Sequence, residues 1–318
     1  MIFTKVLCRS VLCLYLSACL SYVCGGAEPI IGEMDVREQI VKILSSKGLH
    51  TGFNKNTNLW IGIGTAIERV GTPDKNKKFF RDISNLHKVA FLNAKRDCLK
   101  RQGIKFSAKS ESRISENNAS FRKEFKELST AIAQGVISQG DVLCVREAWN
   151  NNEYAIAVAV GWQGNESGKR YCHVIDESKG EGCLYDRWLK SVDMVSLTGF
   201  RRFTDDNGNL YFVGIGIADI QGLSGSELKY ALKNSKQNAI QNLSFAMYSD
   251  VIIQEVLEKL MVEDGELGID VWERFMATVI QRCSLQVPPL DEIFYGEITH
   301  KLFARKVHIT IYASKMIK

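Results

Sequence analysis

A short pattern of strand, turn and glycine-containing strand occurs twice and constrains the fold of this chain more than any other feature. Residues 51–53 (TGF) precede a polar turn and the apolar run at residues 59–66 (LWIGIGTA). Residues 198–200 (TGF) precede the turn DDNGN and the run at residues 211–218 (YFVGIGIA). The Asn-Gly pair of the second turn favours a hairpin because both residues tolerate a positive φ. The sequence therefore predicts an internal duplication, in which each copy begins with a β-hairpin.

A helix with a stripe of small residues follows the hairpin in each copy. The first contains AFLNAKRDCL from Ala90, and the second contains ALKNSKQNAI from Ala231. When these segments are aligned, small residues recur every four positions on one helix face: Ala90, Ala94 and Cys98 in the first copy, and Ala231, Ser235 and Ala239 in the second. We expect this stripe and the strand glycines to let each helix pack closely on its sheet.

Two further strand-like runs close each copy. They are residues 141–148 and 154–162 in the first copy, and residues 292–299 and 306–313 in the second. Amphipathic segments precede them, at residues 121–132 in the first copy and at residues 251–262 and 269–283 in the second. The predicted fold class is therefore α+β, with two tandem β-β-α-(α)-β-β units that each pack an antiparallel sheet on helices.

The alternation of the last strand in each copy assigns residues to faces of the sheet. Ile156 and Val158 are matched with Ile309 and Ile311. If the strands are matched in this way, the alternation of side chains places His308 on the exposed face of its strand. His87, on the first helix, is likewise predicted to lie at the solvated surface. The runs YAIAVAV and VHITIY are apolar enough to pair with another chain, so self-association through sheet edges is one expected kind of partner.

Residues 1–27 are predicted to be a secretory signal peptide. Lys5 and Arg9 precede an uncharged apolar run, and small residues stand before the acidic start of the remaining chain. Cleavage after Ala27 would release a soluble periplasmic or secreted protein. The alternative treats LSAC as a lipobox, so that an acylated Cys19 anchors an outer-membrane lipoprotein. Contact with a membrane is expected only in that second case.

The remaining chain divides into an N-terminal helix, two units and a connection. Residues 28–50 contain the helix, residues 51–162 form the first unit, residues 163–192 form the connection, and residues 193–318 form the second unit. Cys172 and Cys183 flank a polar, glycine-containing stretch of the connection, and in an oxidising compartment they are predicted to form a disulfide. Closing that loop would stabilise the fold by about 3 kcal/mol. The other cysteines beyond the signal segment are predicted to be core residues: Cys98, Cys144 and Cys283.

The candidate chemical motifs of the sequence are incomplete. Gly62-x-Gly64 and its counterpart in the second copy lack the third glycine and the immediate helix of a dinucleotide fingerprint. Ser224 and Ser226 do not have the spacing of a nucleophile elbow, and one of them is expected to cap a helix. The net charge is +5, but basic and acidic residues are interspersed. We therefore expect no enzyme, no cofactor, no metal and no nucleic-acid partner.

The glycine-containing strand, the alanine-rich helix and the strand pair together resemble the lipoprotein-twenty family of outer-membrane lipoproteins and the N-terminal domain of flagellar assembly protein T. Residues 51–162 and 198–314 would each be one such unit. The resemblance implies a non-enzymatic role in the cell envelope. The leading hypothesis is an exported structural or interaction protein with an envelope partner. The alternative is a secreted enzyme or small-molecule-binding protein, which would show a deep pocket with convergent polar groups.

Overall fold

The computed structural model of the protein describes residues 33–76, 78–101, 140–150, 152–163, 198–204, 210–220, 222, 224–263, 270–300 and 302–316. The predicted signal segment with Cys19, the predicted amphipathic segment at residues 121–132, and residues 164–192 of the connection with Cys172 and Cys183 lie outside these residues. The helices are α1 (Glu33–Ser46), α2 (Phe79–Arg101), α3 (Gly225–Glu263) and α4 (Asp270–Ser284). The strands are β1 (Gly52–Asn54), β2 (Leu59–Arg69), β3 (Asp141–Asn150), β4 (Glu153–Gln163), β5 (Phe200–Thr204), β6 (Leu210–Asp219), β7 (Asp291–His300) and β8 (Arg305–Met316).

The strands form two antiparallel four-stranded sheets with the same topology. The first sheet has the order β1-β2-β4-β3, and the second has the order β5-β6-β8-β7. Helix α2 packs on β2 and β4, and helix α3 packs on β6 and β8. A register shift interrupts the β3–β4 pairing after Val142 and the β7–β8 pairing after Glu292, so both copies have a bulge at the same place. The predicted α+β class and its two similar tandem units are confirmed.

The paired glycines of β2 and β6 allow the helices to approach the sheets closely. A Cβ added at Gly64 would collide with the carbonyl oxygen of Ala90, and one at Gly216 would collide with the carbonyl oxygen of Ser235. The close packing expected from the glycines and the small-residue stripe is therefore confirmed.

The helix alignment made from the sequence is wrong by one turn. Gly64 faces Ala90 and Ala94, whereas Gly216 faces Ser235 and Ala239. Ser235 is therefore the structural counterpart of Ala90, the place that the sequence alignment gave to Ala231. Small residues at every fourth position make a one-turn shift look equally good in sequence, so only the contact with the sheet distinguishes the two alignments.

A pair of side-chain hydrogen bonds supports the corrected helix alignment. Asn93 donates to the carbonyl oxygen of Thr65 at 2.9 Å, and Asn238 donates to that of Ile217 at 2.9 Å. The two asparagines occupy equivalent positions in the corrected alignment, one residue before Ala94 and Ala239. Each bond ties the helix to the glycine-containing strand of its own sheet.

The match between the closing strands is wrong by one residue. Gly64 pairs with Val158, and Gly216 pairs with Thr310, so Thr310 rather than Ile311 is the counterpart of Val158. A shift of one residue exchanges the two faces of a strand. His308 accordingly lies on the side that faces α3 and is only 7% exposed. The prediction that His308 lies on an exposed face is therefore wrong.

The expectation that YAIAVAV and VHITIY lie at sheet edges, free to pair with another chain, is wrong, while self-association of the protein stays a prediction. These runs lie in β4 and β8, which are interior strands hydrogen-bonded to neighbours on both sides. The edge positions belong to β1 and β3 in the first sheet and to β5 and β7 in the second. Hydrophobicity was a poor guide to edges here because interior strands, buried on both faces, are the more apolar ones.

Helix α3 is a single helix of 39 residues, although the sequence had suggested a separate amphipathic segment at residues 251–262. The stretch that joins the two predicted parts contains neither glycine nor proline, so the helix continues through it. The additional length lets α3 contact α4 along its C-terminal half while its N-terminal half lies on the second sheet.

The two units share one hydrophobic core. It contains buried residues of α2, β3 and β4 from the first unit and of β5–β8, α3 and α4 from the second. A smaller cluster on the opposite face of the first sheet is covered by α1. Helices α2 and α3 are also joined directly, since the Ser84 hydroxyl donates to the Asn242 side-chain oxygen at 2.6 Å. The arrangement places the start of α2 beside the N-terminal half of α3.

Candidate functional site

A cleft of about 610 Å³ opens where the two units meet. One wall is the turn before α2 and its first residues, another is the N-terminal half of α3, and the end of β6 contributes the third. The volume lies within the roughly 300–1,000 Å³ of most small-molecule sites. We call this feature the junction cleft.

Local hydrogen bonds fix the two helix starts that border the junction cleft. The side chain of Asn76 accepts from the backbone nitrogen of Lys78 at 2.9 Å and donates to the carbonyl oxygen of Val70 at 2.9 Å. At α3, the Ser224 hydroxyl accepts from the Glu227 backbone nitrogen at 3.3 Å, and the Glu227 carboxylate accepts from the Ser224 backbone nitrogen at 3.2 Å. This capping box assigns to Ser224 the capping role that the sequence suggested. The positions of both walls are therefore set by bonds within the protein.

A row of side-chain amides on α3 faces the junction cleft. It consists of Asn234, Gln237, Asn238 and Gln241, whose spacing places them on one face of the helix. Asn238 is used to hold β6. The other three make no hydrogen bond with any part of the chain that the structure describes. Each of these three amides offers two N–H donors and a carbonyl acceptor to a molecule in the cleft.

The positive and negative side chains of the cleft wall are equal in number. Lys78 and Arg81 carry positive charge, and Asp219 and Glu227 carry negative charge. Asp219 accepts a hydrogen bond from the guanidinium of Arg305 at 2.8 Å. Burial raises the pKa of the Asp219 carboxyl above its ordinary value, and the Arg305 charge opposes that change. Glu227 is engaged in the cap, so both carboxylates are already bonded within the protein.

Aromatic rings form the floor of the junction cleft. Phe79 and Phe80 line it from α2, and both meet the ring of Phe303 edge-on, at 5.0 and 5.7 Å between centroids. Because Phe303 belongs to the turn between β7 and β8, this contact joins the two units below the cleft. At the rim, by contrast, Tyr230 is 62% exposed.

His300 lies inside this aromatic floor. Its ring centroid is 4.6 Å from that of Phe303 and 6.2 Å from that of Phe80. The residue is 3% exposed, and neither ring nitrogen has a hydrogen-bond partner among the described residues. Burial lowers the pKa of the His300 imidazole to about 4, so the ring is neutral at physiological pH.

A second group of polar side chains is buried between the first sheet and β5. Arg201 donates to the carbonyl oxygen of Thr198 at 2.9 Å and lies 3.3 Å from a ring nitrogen of His87. The Glu147 carboxyl lies beside the hydroxyls of Tyr154 and Thr198 and within the field of Arg201. Burial raises the pKa of the Glu147 carboxyl and lowers the pKa of the His87 imidazole well below its ordinary value. This group is enclosed, so it holds the units together rather than meeting a ligand.

The prediction that His87 lies at the solvated surface is wrong, because the residue is 0% exposed. The first sheet covers one side of α2, and the second unit covers the other. When a helix is buried on two sides, its sequence pattern does not distinguish one polar face from one apolar face. The burial of His87 could therefore not be predicted from the sequence of α2.

A charged triad completes the contacts between the units. Asp250 of α3 forms an ion pair with Lys95 of α2, and its second oxygen accepts from Arg202 of β5 at 2.6 Å. The three side chains are at most 16% exposed. The two cations hold the pKa of the Asp250 carboxyl well below its ordinary value against the opposing effect of burial. The triad therefore connects both units through buried charges.

The three cysteines that were predicted to be core residues lie away from the junction cleft. Cys98 and Cys283 are buried in helices, and Cys144 is half-buried in β3, so none of the three is open at the junction cleft. Cys19, Cys172 and Cys183 lie outside the described residues, and their proposed modification and pairing stay predictions.

Within the described ranges, no group of three or more His, Cys, Asp or Glu side chains is placed to hold a metal ion. No helix in those ranges is long and apolar enough to cross a membrane.

The fold and the cleft define a two-unit α+β protein with a polar cleft at the junction of its units. No family model matches the chain. No curated protein matches it either. Among solved structures it is similar to the 2.3 Å crystal structure of a hypothetical protein from Francisella tularensis, with 12% sequence identity, coverage of 92% of this chain and 93% of that chain, and a TM-score of 0.48.

Proposed function

We propose that the protein is an exported, non-enzymatic binding protein of the bacterial envelope that holds its ligand in the junction cleft. The proposed location rests on the predicted signal segment at residues 1–27. The proposed binding role rests on the cleft, which has the size and the convergent polar groups of a ligand site. The family resemblance supports the same non-enzymatic role in the envelope.

The chemistry of the cleft wall is the observation that carries this proposal. Its unengaged polar side chains include the amides Asn234, Gln237 and Gln241. Amides form hydrogen bonds, but they neither accept nor release protons near neutral pH and are poor nucleophiles. The His300 imidazole, which could serve as a general base, is enclosed below the floor. The exposed groups therefore favour binding over reaction.

Among the described residues, the pair Ser235 and His308 is a geometric candidate for an enzymatic function. The Ser235 hydroxyl lies 2.9 Å from Nδ1 of His308, a distance suited to a nucleophile and its base. Ser235 is 0% exposed, however, and its hydroxyl also bonds to Thr310 and to the carbonyl oxygen of Leu232. A substrate would have to separate α3 from the sheet to reach it. The pair is better explained as a polar contact that fastens α3 to β8.

The location is tested on the native protein after cell fractionation. We expect intact mass and N-terminal sequencing to show a chain that begins at Glu28 in the soluble envelope fraction. A chain that begins at an acylated Cys19 would keep the export proposal and place the protein on a membrane. Recovery of the full chain, with residues 1–27 retained, in the cytoplasm would contradict export.

Occupation of the cleft is tested with single thiols on α3. Gln237→Cys places a thiol inside the cleft, and Lys229→Cys places one on the same helix outside it. Each variant is alkylated in the native envelope fraction and again after purification and dialysis, and the modified peptide is quantified. We expect the thiol at position 237 to react several-fold more slowly in the envelope fraction and the thiol at position 229 to react equally in both. Equal reaction of both thiols under both conditions would refute binding in the cleft.

A further inference from the structure

We propose that the ligand of the junction cleft is an uncharged, polyhydroxylated molecule of the saccharide class. This inference rests on the proposed function and specifies the chemistry of the same site. Three properties of the wall point to it: unengaged amides, a balanced charge and an exposed aromatic ring. Each property would be expected of a saccharide site, and together they disfavour strongly charged ligands.

The amide row matches the hydrogen-bonding chemistry of hydroxyl groups. A hydroxyl both donates and accepts, and so does a side-chain amide, whereas ammonium and guanidinium groups only donate and carboxylates only accept. Asn234 and Gln241 lie seven residues apart, so the row extends roughly 10 Å along α3. That length suits a ligand with several hydroxyls in succession. A small ion would leave most of the amides without a partner.

The charges on the wall argue against a strongly ionic ligand. Two cations and two carboxylates line the cleft. The carboxylates of Asp219 and Glu227 are bonded to Arg305 and to the α3 cap, so they are not free to bind a cationic ligand. Lys78 is exposed and Arg81 lies 3.9 Å from Asp82, an arrangement that water and salt screen effectively. An uncharged ligand therefore fits the wall better than an anion or a cation.

The ring of Tyr230 supplies the apolar contact that a saccharide needs. A sugar ring has a face of C–H groups, and the electron-rich face of an aromatic ring attracts such groups. Tyr230 is 62% exposed, and among the described residues its ring stacks on no other aromatic side chain. It stands one turn before Asn234 on α3, so a sugar stacked on the ring would bring its hydroxyls to the amide row.

The proposal is tested by binding of saccharides to the mature full-length protein. An array of uncharged and charged oligosaccharides identifies candidates, and titration calorimetry measures the affinity of the best one. We expect an uncharged oligosaccharide to bind with an affinity that is unchanged between low and high salt. Gln241→Ala and Tyr230→Ala should each weaken binding about three- to tenfold, as expected for one lost hydrogen bond or ring contact. The matched control Gln281→Ala, which removes an exposed amide of α4 outside the cleft, should bind like the unaltered protein.

Three outcomes would overturn the inference. They are binding of no uncharged oligosaccharide, a preference for charged saccharides that disappears in high salt, and equal affinity of the cleft variants and the Gln281→Ala control. The thiol experiment separates this failure from failure of the proposed function. If the thiol of Gln237→Cys is protected in the envelope but saccharides do not bind, the ligand class is wrong and the binding role stands. If it is not protected, the binding role itself is refuted.

Discussion

Acidification should destabilise the protein through His300, which is 3% exposed and whose imidazole lies against the rings of Phe80 and Phe303. Burial lowers the pKa of this imidazole from 6.5 to about 4. The unfolded chain therefore takes up a proton as the pH falls below about 6.5, whereas the folded protein does not until about pH 4. Proton uptake by the unfolded chain favours unfolding, so the contribution of His300 to stability is present at neutral pH and is lost as the pH falls through this window.

The size of the effect follows from the two pKa values. Across the whole window the free energy of unfolding should fall by about 3 kcal/mol, and between about pH 7.5 and pH 5 by about 2 kcal/mol. These values apply with little discount for solvent screening because the ring is enclosed. Other buried groups titrate in the same range, so the effect of His300 has to be isolated by comparison with a variant.

His300→Phe isolates the effect. The variant keeps an aromatic ring in the floor and removes two ring nitrogens that have no hydrogen-bond partner among the described residues. It should be at least as stable as the unaltered protein at neutral pH. Urea denaturation followed by tryptophan fluorescence at the two pH values gives the free energies of unfolding. We expect the unaltered protein to lose about 2 kcal/mol more than the variant on acidification.

The same urea denaturation assay provides a control and a result that would refute the prediction. His50→Gln removes an exposed histidine at the end of the segment that follows α1 and should lose as much stability on acidification as the unaltered protein. Equal losses in the unaltered protein and in His300→Phe would show that His300 is not protonated on unfolding in this range. The enclosed aromatic environment would then be the wrong explanation of its role.

Three further predictions concern packing, buried charge and the disulfide. Gly216→Ala should cost at least about 3 kcal/mol in chemical denaturation, because the new Cβ would collide with the backbone of α3, whereas Gly225→Ala points into open space and should not destabilise. Asp250→Asn leaves two buried cations without their counter-charge and should cost about 3–5 kcal/mol by calorimetry; a loss under about 1 kcal/mol would contradict the role of the triad. The predicted disulfide between Cys172 and Cys183 should block alkylation of both thiols until a reductant is added, as measured by intact mass.

The fold class was predictable because it rests on local patterns that the chain repeats. The strands, the hairpin turns and the close approach at Gly64 and Gly216 are all visible in sequence, since a missing side chain between apolar neighbours has few other uses. The errors of detail came from repeats shorter than the unit. A four-residue stripe permits a shift of one helical turn, and an alternating strand permits a shift of one residue, which exchanged the faces of His308 and its neighbours.

The site was not predictable from the sequence because it belongs to neither unit alone. The amides of α3 are recognisable as a polar helix face, which is ordinarily a solvated surface. Only the position of the second unit beside the start of α2 turns that face into the wall of a cleft. The burial of His87 has the same origin. Contacts between units depend on how the units dock. The hydrophobic periodicity within one helix contains no information about that docking.

The corrected alignment of the two copies separates a structural residue of α3 from a residue of the proposed binding site. Asn238 corresponds to Asn93, and the side chain of each donates a hydrogen bond to a strand carbonyl oxygen at 2.9 Å. This position therefore has the same structural role in each unit. Gln237 corresponds instead to Leu92, which is buried in the shared core. The two helices therefore differ on the face that the first copy uses for packing and the second copy opens to the cleft. The amide at this position, where α2 has a buried leucine, fits the binding role that we propose for α3.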